Sequence, residues 1–113
     1  MILLDGDYDV FGDGSVRLFW VGGHTPGSQV ALVRLPKTGY FLLSCDSVHT
    51  LDNWQHRRIP RLGAANDVND WAQSVPIAYQ RISNLLDLYK AELWIHHEIK
   101  QYQKMKYAPA YYE

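Results

Sequence analysis

With 113 residues, the chain reads as a single domain spanning 1–113, able to bury roughly two-thirds of the surface that its unfolded form exposes. Its net charge of −1 provides no basic field for nucleic acid or an acidic membrane, and no apolar run approaches the ~18 residues of a bilayer span. One cysteine, Cys45, excludes an intramolecular disulfide and suits a reducing cytoplasm, where the chain is expected. The start, Met-Ile-Leu-Leu-Asp-Gly, lacks the charged and long apolar regions of a signal peptide.

The first third has the character of β-structure. Val16 to Val21 is rich in strand formers, and Gly12-Asp13-Gly14 before it marks a turn, so a hairpin with Tyr8, Val10 and Phe11 is expected. Gly22 to Gly27 is a glycine- and proline-punctuated loop. Gln29 to Leu35 predicts a second strand, and Pro36-Lys37-Thr38-Gly39 turns the chain into a third, Tyr40 to Cys45. The unbroken apolar run of that third strand predicts burial on both faces. Residues 47–66 form a long loop with a short helical turn near Leu51 to Gln55. Asp67 is the expected cap of a helix whose Ala78, Ile82, Leu85, Leu86 and Tyr89 share one face. Pro76 inside that span is expected to split it in two. Ala91 to His96 predicts a fourth strand, and the tail from Ile99 starts as a helix that ends near Pro109.

Three groups that bind metals stand just beyond predicted strands, where sheets commonly present functional side chains. These are His24 after the first main strand, Asp46 after the buried strand and His97 after the fourth. Two imidazoles and a carboxylate suit zinc or a similar borderline cation, and the carboxylate can also bridge two cations. By residue type alone they are equally ordinary loop, turn and cap residues. His96 and His97 are adjacent on an extended segment, so at most one faces a shared site. Cys45 reads as a buried strand residue, and Arg57, Arg58 and Arg61 as a solvated basic loop.

Longer strings say more. Gly23-His24-Thr25-Pro26-Gly27 resembles the G-H-T-P-G loop of the metallo-β-lactamase superfamily, whose histidine is a metal ligand. Leu43-Ser44-Cys45-Asp46 resembles the strand that ends in the metal-bridging aspartate, 22 residues after His24. Ile95-His96-His97-Glu98 resembles the late G-H-D element, which implies His97 as the last histidine ligand; His96 replaces its glycine and Glu98 its aspartate. Asp5-Gly6-Asp7-Tyr8-Asp9, Asn53-Trp54 and Arg57-Arg58-Ile59-Pro60 are similar to the N-acyl-homoserine lactonase branch. The resemblance runs over nearly the whole chain in the family's own order, and it implies a metal-dependent hydrolase of lactones or esters.

The family's H-x-H-x-D-H motif, which belongs to the amino-terminal half, does not occur among the five histidines. The resemblance therefore implies an α/β chain that forms half of an αββα sandwich, with four to five strands plus helices. It implies a partial zinc site of His24, Asp46 and His97, and no hydrolysis by the chain alone. His49 stands where lactonases of this branch place a tyrosine near the substrate carbonyl, and takes that tyrosine's place as candidate catalytic group. The alternatives are a non-enzymatic remnant and one subunit of a split enzyme completed by an amino-terminal half. An uncovered sheet face predicts a homodimer.

Overall fold

The structure, a computed structural model, describes residues 3–60 and 68–113. Five strands form one mixed sheet in sequential order: β1 (Tyr8–Asp9), β2 (Val16–Trp20), β3 (Gln29–Leu35), β4 (Gly39–Leu43) and β5 (Glu92–Trp94). The first four are antiparallel neighbours, and β5 joins β4 in parallel. Between β4 and β5 lie a 3-10 turn (Cys45–Ser47), helix α1 (Leu51–Gln55) and the long helix α2 (Val68–Tyr89); α3 (Ile99–Tyr102) follows β5. A parallel β4–β5 pair requires such a crossover, because no tight turn can join parallel strands. Among the described residues no helix is long and apolar enough to cross a membrane.

The β1–β2 hairpin is closed by side chains. The Asp9 carboxylate accepts from the Gly12 and Gly14 amides at 3.0 and 2.9 Å, and Asp13 accepts from Ser15 at 2.8 Å. Gly12 and Gly14 both adopt left-handed φ, which this tight return needs and L side chains resist.

Side chains alternate across the sheet, so register decides what each face carries. The row Leu32, Leu42 and Leu93 faces α2, whose Val75, Ala78, Tyr79 and Ile82 are buried against it. Phe41 is buried on the opposite face and Leu42 on this one, as the apolar run predicts. That opposite face is partly covered by the chain's own tail: Tyr112 packs edge-on against Phe41 and Trp94 at 5.6 and 4.9 Å. The Lys37 and Thr38 amides donate to the Glu113 carbonyl and tie the tail down. Leu18, Ala31, Val33 and Leu43 on the same face remain half-buried.

Three expectations need correction. Helix α2 runs unbroken through Pro76. Trp71 and Val75 before the proline and Ala78, Tyr79 and Ile82 after it all bury in one core, which holds both sides in line despite the lost backbone bond. Cys45 is exposed and outside β4, because the chain leaves the strand at Ser44 and turns with a left-handed φ of 48° at Cys45. The tail helix stops at Tyr102, far short of Pro109. The cap expected at Asp67 lies outside the described residues.

One contact ties the fold to the first loop. A Cβ on Gly23 would lie 2.7 Å from the Ala78 Cβ, and Gly23 also holds a φ of +92°. Gly23→Ala should therefore cost about 2–4 kcal/mol, through overpacking against a buried helix and left-handed strain. Gly27→Ala, with no atom within 4 Å and no left-handed φ, should stay within about 0.5 kcal/mol of the parent. Urea unfolding of both variants checks the pair, and equal stabilities would remove the close approach from the account.

Candidate metal centre

The sheet's topology brings the three predicted donors to one edge. Strands β2, β4 and β5 all run toward that edge, since β2 and β4 are each antiparallel to β3 and β5 is parallel to β4. Leu43 and Trp94 are register partners, and Asp46 and His97 each follow three residues later. The Ser44 amide extends the ladder by donating to the Trp94 carbonyl at 2.9 Å. The aspartate and histidine thus leave the sheet side by side, and His97 Nε2 meets Asp46 Oδ1 at 3.0 Å.

His24 arrives from β2 on a loop that α2 grips by its carbonyls. The Trp71 indole donates to the His24 carbonyl at 3.0 Å, the Ser74 hydroxyl to that of Gly23 at 3.1 Å, and the Arg81 guanidinium to that of Val21 at 3.1 Å. Trp71 also lies against the His24 ring, with centroids 5.2 Å apart. Nothing in the local sequence near residue 71 marks this role, which rests on a contact 47 residues away in the chain.

Between His24 and His97 stands His49. Its ring centroid lies 5.1 Å from that of His24 and 5.6 Å from that of His97. His24 Nδ1 and His49 Nε2 are both buried and lack a hydrogen-bond partner. An unpaired buried polar atom costs about 1–3 kcal/mol, and here two of them belong to neighbouring imidazoles, groups that can take up a Lewis acid or a proton. The donor types fit zinc, and the orphaned nitrogens fit it better still. As they stand, no three His, Cys, Asp or Glu groups among the described residues converge closely enough to hold a metal ion. Convergence requires rotation of the exposed pair, His97 and Asp46, whose side chains are 59% and 60% accessible.

Electrostatics follow from the crowding. The hydrogen bond from His97 holds the Asp46 carboxyl below its usual range, and the three imidazoles add to this. Burial pushes the His49 imidazole down, neighbouring His24 and His97 push it further, and Asp46 opposes them. Although Cys45 is an exposed residue, partial burial of its sulfur and the Asp46 charge raise its thiol. That suppresses the thiolate which metal binding would need.

Other predicted residues serve structure. Glu98 caps two helices, its carboxylate accepting from the Leu51 amide at 2.8 Å and the Lys100 amide at 3.2 Å. Arg57, exposed in the turn after α1, also stacks on Trp54 at 4.1 Å and donates to Ser83 at 2.7 Å. Arg58 pairs with Asp52 at 3.1 Å, whereas Arg61 lies outside the described residues. His96 is exposed and has no part in the cluster.

No protein-family model matches the chain. It is 36% identical over 110 residues to the N-acyl homoserine lactonase AttM of Azorhizobium caulinodans, taking in 97% of this chain and 40% of the relative. The N-acyl homoserine lactonase AiiA of Bacillus thuringiensis subsp. kurstaki is 26% identical over 112 residues, with 96% and 40% covered. A solved N-acyl homoserine lactone hydrolase, carrying N-hexanoyl-L-homoserine at its catalytic metal centre, superposes with a TM-score of 0.78. That match covers 97% of this chain and 40% of the other at 24% identity. The chain has the fold of a carboxy-terminal half of a metallo-β-lactamase-fold protein, and in sequence it is similar to part of the N-acyl homoserine lactonases. It spans about 40% of the length of the curated relatives it matches. Within this half-fold the five-stranded sheet and its helices correspond to one side of the αββα sandwich.

The His49 environment makes a checkable statement. In the metal-free protein its imidazole should titrate below the ordinary value of 6.5. The unfolded state then binds the extra proton first, so His49 gives its full contribution to stability above about pH 6.5 and loses it as pH falls toward the folded value. Proton NMR of the ring checks this, and His24→Ala should move the midpoint upward by removing a like charge. A midpoint at or above 6.5 in the parent would show that the ring is solvated.

Proposed function

We propose that these 113 residues supply His24, Asp46 and His97 to the metal centre of a lactone- or ester-hydrolysing site. Further ligands from outside the 113 residues are needed for turnover. The observation that carries this reading is the arrival of all three groups at one sheet edge, beside two buried imidazole nitrogens without partners. Its chemical direction comes from relatives named as N-acyl homoserine lactonases.

When bound, a borderline divalent cation such as zinc supplies a water of lowered pKa and polarises the carbonyl. The chain's own residues hold and orient. The His24 backbone is held by the α2 contacts to its loop, and Trp71 lies against its ring. Asp46, an ionised carboxylate held below its usual range, contributes negative charge and the capacity to bridge. His97 keeps that carboxylate aimed until it turns to ligate.

The half-covered second face of the sheet is read as a docking surface for a second sheet, provided by another copy of the chain in a two-fold pair. Burying its half-exposed Leu18, Ala31, Val33 and Leu43 contributes about 25 cal/mol per Å². Light scattering at micromolar concentration should give twice the monomer mass. A monomer with a cooperative melt would show that Tyr112 and the tail suffice to cover this face.

Metal binding and turnover test the main reading separately. Calorimetry should find at most about one zinc per chain. His24→Ala should weaken binding clearly, and unchanged affinity would remove His24 from the site. Opening of acyl-homoserine lactones by these residues alone should match buffer with the same free zinc. Turnover that disappears in Asp46→Ala would instead make the chain a self-sufficient enzyme.

A further inference from the structure

We propose that His49 is itself a metal ligand, so that His24, Asp46, His49 and His97 together form a four-donor site contained within this chain. The inference builds on the metal-centre reading above and adds a donor to it. From the sequence, His49 reads as a hydrogen-bond donor to a substrate carbonyl. The structure favours a different task.

The first reason is the unpartnered nitrogen. His49 Nε2 is buried and meets no hydrogen-bond partner. A neutral ring protonated at Nδ1 presents a lone pair there, and a lone pair at Nε2 is what a metal-binding histidine offers.

The second reason is position. Among the described residues His49 is the imidazole in ring contact with both His24 and His97. Two imidazoles on one tetrahedral zinc, with Zn–N of about 2.0–2.1 Å, carry their ring centroids roughly 5 Å apart. The separations here are 5.1 and 5.6 Å. An ion reached by both His24 and His97 would sit beside the buried His49 nitrogen, which has no other use in the structure.

The third reason is chemistry. Three imidazoles and one carboxylate complete a four-coordinate zinc shell. His24 and His49 are half-buried with one buried, unpartnered nitrogen each, and the two outer groups, Asp46 and His97, are exposed and free to close on the ion.

The test is zinc titration of the 113-residue chain and of His49→Gln, His24→Ala and His97→Ala, with nitrogen NMR of the imidazoles. His49→Gln should weaken zinc binding by at least about 100-fold, in line with loss of a ligand rather than of a distant support. On zinc addition the His49 Nε2 resonance should shift strongly while Nδ1 keeps its proton. The NMR readout on the unaltered chain decides the matter if His49→Gln fails to melt cooperatively. Zinc binding that is abolished in His24→Ala and His97→Ala but within twofold of the parent in His49→Gln, with His49 Nε2 unmoved, would overturn the proposal and leave the three-donor reading intact. No zinc binding by the unaltered chain would overturn both.

Discussion

The grip of helix α2 on the loop after β2 is the constraint on which the rest of the structure depends. Trp71, Ser74 and Arg81 of one helix hold three carbonyls, those of His24, Gly23 and Val21. Gly23 lies so close to Ala78 that no side chain fits between them. The same helix buries Val75, Tyr79 and Ile82 on the sheet, so the core that stabilises the fold also sets the height and direction of His24. Stability and site geometry are one problem here. A change that lifts α2 from the sheet displaces His24 without touching it.

Against that fixed point stands a pair set by register. Asp46 and His97 leave adjacent parallel strands at matching offsets, and their mutual hydrogen bond is exposed to solvent. His24 and His49 are half-buried beside this exposed pair. On the proposed binding of an ion, the two exposed side chains lose the most freedom. The inner rings carry the cost of unpaired nitrogens in the meantime, a form of stored instability common at functional sites.

Much of this was legible in the residues. Strand β3 is Gln29–Leu35 as expected and α1 is the short helical turn expected near Leu51 to Gln55, because the apolar run Val30 to Val33 and a Thr50 cap act locally. The half-sandwich architecture and the order of the three candidate donors could be read from short strings. What could not be read depends on distant contacts. Pro76 is a strong local breaker, yet packing on both sides overrides it. Cys45 continues an apolar run but sits where the chain must turn to deliver Asp46. Trp71 carries no motif, and its bond to His24 exists only after the sheet and helix have met. His49 was visible as a departure from a tyrosine, but its orphaned nitrogen belongs to three dimensions.

The central claim is that this sheet edge is built to hold a cation between His24, His49 and the Asp46–His97 pair. Anomalous scattering from crystals of the chain grown with zinc tests it most directly, because it locates the ion without reference to activity. The account predicts one strong peak about 2.0–2.1 Å from an imidazole nitrogen of His24 and from His49 Nε2, with the Asp46 carboxylate and His97 turned toward it. A zinc peak elsewhere on the chain, with the two buried nitrogens still unligated, would contradict it.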